Sequence, residues 1–487
     1  MTNPLKKYKL LPIGARASFW YMICNLLQKG ISFIVVPIYT RLLTTAEYGE
    51  YSVFFSWQSI FIIFATLNLY CGVYTRNLVK YPNDRARYTA CMQGLSTLIT
   101  ALFFILYLGF HGVVSKLLEI KPNLINVMFL YFIFYPSVSF WSVRQRIENK
   151  YIKMVVVTLI MSVITPTVNL ILLLNTDLRQ DALILGNMGI QILFGAFFYV
   201  YHFIKGKVFF IKKYWIEGLK FNIPLIPHYL SLIVLAQSDR IMIQRMCSSS
   251  DAGIYSLTHS VAMVLSIFIS SICGAFVPWA YEKLRDKTYE PLRKVSLVLT
   301  LGMAFITLLI IAIAPEAVLI LGGNKYMQAI WCIPPIVLGV YFTFVYDFFA
   351  DVEFYNGKTK YVAIASTVGA VVNIILNGIF IPIFGFVAAA YTTLVCYLIF
   401  TIMHYIFMRV VTKEKIYNVK GLFLISLLLS GLAAGFTLSY LNNLVRYVLI
   451  VVVLVVLFVK RNLFINVFKD IKNKQVKETV IAEDSSK

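Results

Sequence analysis

The chain has 487 residues, of which 60% are hydrophobic and 14% are charged, and its mean hydropathy is +0.78. Soluble domains carry about 45–50% apolar and about 25% charged residues, and a single soluble core stops growing at roughly 250–300 residues. The composition therefore excludes a soluble enzyme, a disordered chain and a disulfide-stapled secreted protein. It predicts an all-α polytopic membrane protein of about 14 transmembrane helices, because each crossing needs about 20 apolar residues.

Apolar runs and polar loops divide the chain, in order, into seven segments. They are an N-terminus at 1–16, a six-helix bundle at 17–204, a linker at 205–221, a second six-helix bundle at 222–408, a loop at 409–420, two extra helices at 421–459, and a tail at 460–487. Within the first bundle, the second span is expected at 51–74. The bundle boundaries follow from the hydropathy pattern, in which each crossing is an apolar run bounded by polar turns.

Basic residues alternate in number from one loop to the next. With the N-terminus and every second loop on one side, that side holds 35 of the 44 Lys and Arg residues, and the opposite side holds 7. Cytoplasmic loops carry such an excess, so both termini are expected in the cytoplasm. The net charge of +22 is thereby explained by topology, and it predicts contact with anionic membrane lipids rather than with nucleic acid.

A short motif occurs twice at an offset of 204 residues. Residues 41–52 (RLLTTAEYGEYS) match residues 245–256 (RMCSSSDAGIYS), and Val168-Asn169 match Val372-Asn373 at the same offset. Six spans separate the copies, so both halves enter the membrane in the same direction and form two parallel repeats around a central cavity. Each copy of the longer motif also has the Ser/Thr-x-x-Asp/Glu pattern of a helix start, and capping alone is the simpler explanation for it.

These residues also carry a family resemblance. The features are Tyr39-Thr-Arg41-Leu-Leu-Thr with Tyr48-Gly49, then Pro224 and Pro227, Ser238-Asp239-Arg240, and Gly253-Ile-Tyr255-Ser256. With them the chain resembles bacterial polysaccharide-repeat-unit flippases of the Wzx type, within the multidrug/oligosaccharidyl-lipid/polysaccharide exporter superfamily. The resemblance implies movement of an undecaprenyl-diphosphate-linked oligosaccharide from the inner to the outer leaflet. It also implies a polysaccharide polymerase and a chain-length regulator as partners.

Two cations lie inside predicted spans, where a charge costs about 2.5–3.5 kcal/mol at the bilayer centre. Lys29 follows Asn25 by four residues in the first span, and Arg240 lies between Gln237 and Gln244 in the seventh, so each belongs to a polar stripe on one helical face. Because Lys and Arg can replace the lost hydration of a phosphate, we expect these five residues to bind the diphosphate and sugars of the substrate. The alternative is that Arg240 only fixes helix packing.

Three further charged residues have two interpretations each. Asp239 is expected either to carry a coupling proton or cation, or to form a structural ion pair. Arg41 and Arg245 occupy equivalent outer ends of spans and are candidate guides for substrate exit, although interfacial snorkelling is the simpler explanation. The seven Cys and five His show no metal-ligand or disulfide spacing, so neither a metal nor a cofactor is expected.

The leading prediction is therefore a flippase of lipid-linked oligosaccharides that supplies O-antigen or capsule synthesis, and not an enzyme. A drug/cation antiporter of the same superfamily is the close alternative, and it predicts acidic rather than basic residues in the cavity. A membrane polysaccharide polymerase is the alternative from another class. It needs a sizeable extracytoplasmic loop, and the outer loops are too short to provide one.

Overall fold

The computed structural model describes residues 13–455, which form helices joined by short turns, with no strand in that part of the chain. The first eight helices are α1 (Ile13–Leu42), α2 (Thr45–Thr66), α3 (Val73–Lys80), α4 (Arg85–Leu118), α5 (Pro122–Ile147), α6 (Tyr151–Asn175), α7 (Gln180–Gly206) and α8 (Lys212–Asn222). The others are α9 (Ile226–Met246), α10 (Ser249–Arg285), α11 (Tyr289–Ala312), α12 (Ala314–Leu321), α13 (Ile333–Tyr355), α14 (Thr359–Phe384), α15 (Val387–Val411), α16 (Val419–Ser439) and α17 (Asn443–Val455). Most of the predicted N-terminus and the whole tail at 460–487 lie outside the described residues.

The helices confirm a multi-pass membrane protein. Within residues 13–455, twelve helical segments are long and apolar enough to cross a membrane, and one of them joins α8 to α9. The 22-residue α2 and the short apolar α17 are two further helices in the positions of predicted spans 2 and 14. Together these segments agree with the predicted fourteen spans.

The second span is displaced from the predicted 51–74. Helix α2 ends at Thr66 because Leu67 and Asn68 adopt left-handed backbone conformations, with φ of 48° and 47°. Such residues terminate a right-handed helix. The amide of Asn222 donates to the carbonyl oxygens of both residues, at 2.8 and 2.9 Å, and so satisfies acceptors at the end of the helix. The sequence pattern could not show this partner, which lies more than 150 positions away along the chain.

Both predicted helix starts are confirmed. The Thr44 hydroxyl accepts from the Glu47 backbone N–H at 3.2 Å, and the Glu47 carboxylate accepts from the Thr44 N–H at 2.7 Å, which completes a capping box at the start of α2. At the start of α10, the Ser248 hydroxyl accepts from the Asp251 N–H at 3.1 Å. A cap of this kind stabilises a helix by about 1 kcal/mol.

The contacts between residues divide the chain into two compact units. The first unit comprises Met1–Ser256 and Ala370–Ala389, and the second comprises Leu257–Gly369 and Ala390–Lys487. In the first unit, buried aromatic residues pack where α2, α4 and α5 meet, including Phe54, Tyr107 and Phe132. In the second, α13 is the most deeply buried helix, since most of its side chains are shielded from solvent. All eight predicted site residues lie in the first unit.

Candidate functional site

Helix α9 arranges three of the predicted residues along one face. The helix begins with Pro227 in its first turn, where the missing N–H of proline costs nothing. Gln237, Arg240 and Gln244 follow at spacings of three and four, so they lie above one another. Arg240 is partly buried, and its Nη1 donates to the Gln237 Oε1 at 2.7 Å and to the Ala236 carbonyl at 3.1 Å.

Gln237 connects this stripe to α2. Its Oε1 also accepts from the Ser56 hydroxyl at 3.1 Å, so one amide oxygen orients the guanidinium and joins the two helices. Within the described part of the chain, Nη1 is the only nitrogen of Arg240 that donates a hydrogen bond.

Asp239 lies next to Arg240 in the sequence but hydrogen-bonds to other helices. Its side chain is 1% exposed. Oδ2 accepts from the Tyr255 hydroxyl of α10 at 2.5 Å, and Oδ1 accepts from the Asn377 amide of α14 at 2.7 Å. The neighbouring Ser238 donates to Asn373 at 3.0 Å, and Asn377 also reaches the Asn373 oxygen at 3.3 Å. The result is a buried polar cluster on three helices.

The cluster contains residues that sequence reasoning did not select as site residues. Asn373 and Tyr255 both occur in the repeated motifs, so the repeat was the available signal. The first half of the chain has a related pair, because the buried Asn169 donates to the Tyr39 hydroxyl at 2.9 Å. In each half, therefore, the repeated Asn hydrogen-bonds to the first long helix of that half. Asn377 had no corresponding signal in the sequence.

The other predicted residues occupy α1 and the ends of helices. In α1, Lys29 is partly buried and Asn25 is exposed one turn before it; their role in a shared site stays a prediction. Arg41 is exposed at the last turn of the same helix. Gln244 and Arg245 contact the segment that ends α4: the Gln244 amide donates to Glu119 at 3.2 Å, and the Arg245 guanidinium donates to the Leu117 carbonyl.

The repeated loops pack against each other in the first unit. An added Cβ at Gly49 would lie 1.8 Å from the Ser249 carbonyl oxygen, and one at Gly253 would lie 2.0 Å from the Thr45 carbonyl oxygen. These two contacts are equivalent, since each pair of corresponding residues differs by the offset of 204. Thr45 and Ser250 also share a hydrogen bond of 2.7 Å between their hydroxyl oxygens. The two glycines therefore allow α2 and α10 to approach with their backbones in contact.

Residues 15–282 match the family described as "Polysaccharide biosynthesis protein". The chain belongs to this family. The match covers more than half of the chain, and it includes nearly all of α1, all of α2–α9, most of α10 and all eight predicted site residues. Within residues 13–455, no three or more His, Cys, Asp or Glu side chains form a group that could hold a metal ion.

Known proteins from Haemophilus influenzae are similar to this family member. An "Uncharacterized membrane protein" is 25% identical over 373 residues, which is 72% of this chain and 86% of that protein. "Lsg locus putative protein 1" is 26% identical over 373 residues, or 72% of this chain and 87% of its own length.

Solved structures share the fold. A "Lipid II flippase MurJ, inward closed conformation" superposes with a TM-score of 0.67 and 17% identity, covering 91% of this chain and 98% of that one. An inward-facing multidrug resistance MATE family transporter of the MOP superfamily has a TM-score of 0.58 and 12% identity, covering 78% and 94%. The family match thus confirms the resemblance to polysaccharide-biosynthesis proteins, and the likeness to these structures confirms the predicted all-α fold.

Proposed function

We propose that the chain is a flippase that moves undecaprenyl-diphosphate-linked oligosaccharide repeat units from the cytoplasmic to the outer leaflet by alternating access. The translocated repeat units would be used to assemble a surface polysaccharide, either O-antigen or capsule. The observation that carries the proposal is the family match, because it spans every candidate site residue and comes with the fold of a lipid-linked precursor flippase. The bacterial inner membrane is the expected location, with both termini in the cytoplasm.

The geometry of α9 supports an anionic substrate. Arg240 is fixed on its helix by Gln237 and presents further guanidinium N–H groups, while Lys29 supplies a second cation in α1. A diphosphate that leaves the headgroup region loses hydration, and positioned Arg and Lys side chains replace it. Asp239 is proposed to carry the coupling proton or cation, since it is a buried acid surrounded by hydroxyl and amide groups.

A drug/cation antiporter is the second candidate, and the MATE structural neighbours share the fold that favours it. It would use Asp239 as its main charged residue and would not need Arg240. A polysaccharide polymerase is the third, and it would need a larger extracytoplasmic loop than the sequence provides.

The deciding experiment detects the lipid-linked glycan in each leaflet of a deletion strain. We expect the lipid-linked glycan to accumulate on the inner leaflet of the deletion strain, and we expect the wild-type gene to restore its export. The variants Lys29→Ala and Arg240→Ala should fail to restore export at normal expression, whereas the matched control Lys205→Gln, at an exposed lysine, should restore it. Full activity of both alanine variants would overturn the cationic site. Normal export with loss of chain lengthening would identify a polymerase instead.

A further inference from the structure

A cavity of about 640 Å³ lies in the second unit, where α11 and α16 begin and α15 ends. The alternation of Lys and Arg among the loops predicts that these helix ends lie on the cytoplasmic side. Charged side chains in its wall are five basic and two acidic residues: Arg293, Lys294, Arg409, Lys415 and Lys420, with Glu290 and Glu414. The excess of positive charge makes the cavity attractive to an anion.

Two arginines fix the loop that forms one wall of this cavity. The Nε of Arg293 donates to the Lys415 carbonyl at 2.9 Å, and Nη1 of Arg409 donates to the carbonyls of Lys413 and Glu414 at 3.0 and 3.1 Å. The arginines therefore hold backbone rather than ligand. Within residues 13–455 no ion pair involves Lys415 or Lys420, so both ammonium groups are available at the cavity.

Tyr417 lies in the same wall, but its hydroxyl oxygen is shielded from solvent and therefore does not face the open cavity. Lys415 and Lys420 are both exposed, so their ammonium groups are the donors that an anion in the cavity can reach.

Apolar surface adjoins this end of the helices. Ile402, Ile406 and Val410 are exposed at intervals of four along α15, and Phe423 and Leu427 are exposed in the same way along α16. Residues four apart share one helical face, so each helix presents an apolar stripe that runs toward the cavity end. A hydrocarbon chain can pack along such an apolar stripe, whereas a free phosphate ion has no apolar surface that would pack there.

We propose that this cavity binds the phosphate group of an anionic glycerophospholipid, with Lys415 and Lys420 as its donors and the acyl chains along α15 and α16. The site is a lipid site outside the proposed substrate path. It goes beyond the proposed function, because binding a lipid here requires no transport.

The test titrates phosphatidylglycerol into the purified full-length chain in a neutral detergent and measures bound lipid by native mass spectrometry. The double variant Lys415→Gln with Lys420→Gln should bind about tenfold more weakly, because each lysine near anionic lipid adds to affinity. The matched control removes two exposed lysines of the second unit that lie outside the cavity, by Lys358→Gln with Lys360→Gln, and should bind as the wild type does.

Inorganic phosphate and diphosphate provide the second arm of the experiment. We expect neither to displace the lipid at concentrations where phosphatidylglycerol saturates the site. Equal binding by the two double variants would overturn the site, and displacement by inorganic phosphate would overturn its assignment to a lipid. Glycan export is measured in parallel. We expect the Lys415 and Lys420 double variant to lose lipid binding and keep normal export, because the site lies outside the proposed substrate path. Failure of the Arg240 and Lys29 variants to export glycan would concern the proposed function and not this site.

Discussion

Asp239 depends on donors from two other helices. The Tyr255 hydroxyl and the Asn377 amide both point their protons at its carboxylate, and the side chain is shielded from solvent. Removing the carboxylate takes away two hydrogen bonds to a charged group, and each bond of this kind contributes about 1.5–3 kcal/mol. We therefore expect Asp239→Ala to lower the thermal unfolding midpoint of the purified protein. Size-exclusion chromatography of heated samples in detergent measures this midpoint.

The variant Asp239→Asn distinguishes a structural role of the carboxylate from a role in ion coupling. The amide keeps the size of the side chain and one acceptor oxygen, so this variant should unfold closer to the wild type than Asp239→Ala does. If the carboxylate carries the coupling ion, glycan export should still be lost. The exposed Asp177→Ala is the matched control for removing an acid from the first unit. An Asp239→Ala protein that unfolds together with this control would refute the structural importance of the cluster.

The sequence predicted the stripe on α9 but not the surroundings of Asp239. Gln237 and Arg240 are three positions apart, and helical geometry alone places them on one face, as their 2.7 Å hydrogen bond shows. Asn377, in contrast, lies 138 positions beyond Asp239. Only the packing of α14 brings the two together, and one sequence contains no local signal for that packing.

At the scale of helices, the repeated motif has a function beyond capping. The caps at Thr44 and Ser248 follow from local spacing, and their prediction was correct. The same motif also supplies Gly49 and Gly253, which the sequence marked as positions of the repeat and of the family resemblance but without a structural role. Their role became visible when the structure placed the two copies against each other, because close backbone approach needs both partners in position.

The glycine contact predicts a matched set of stability changes. A methyl group at Gly49 or Gly253 would overlap a backbone carbonyl of the other helix, and backbone cannot yield as a flexible side chain does. We expect Gly49→Ala and Gly253→Ala each to destabilise the protein by about 1–3 kcal/mol, as overpacking does. The double variant should lower the free energy of unfolding by less than the sum of the two single losses, because either methyl group alone already separates the helices. Thermal unfolding in detergent measures all three.

Gly274→Ala is the control for this set. Gly274 lies in α10 with no atom within 4 Å of an added Cβ, so alanine there should be neutral or should stabilise by up to about 1 kcal/mol. The contact would be ruled out as a close-packing site if Gly49→Ala and Gly274→Ala unfolded at the same temperature.

At the scale of the whole molecule, the number of crossings was readable from the sequence because each lipid-exposed helix needs its own apolar run. The assignment of residues to the two compact units was not readable in this way. By residue contacts, α9 and the second half of α14 both belong to the first unit. Hydropathy reports where a helix is apolar, but it does not report which neighbour covers it.

The orientation rests on charge alone, and it gives the last prediction. Cys247 is exposed at the end of α9 on the predicted outer side, so a membrane-impermeant maleimide should label it in spheroplasts of cells that express the protein. Lys287 is exposed between α10 and α11 on the predicted inner side. In a Cys247→Ser background, Lys287→Cys should react only after permeabilisation, because translocating the basic loops that hold most of the Lys and Arg residues is unfavourable. Labelling of Lys287→Cys in intact spheroplasts would invert the topology, and with it the direction of transport proposed for Arg240 and Lys29.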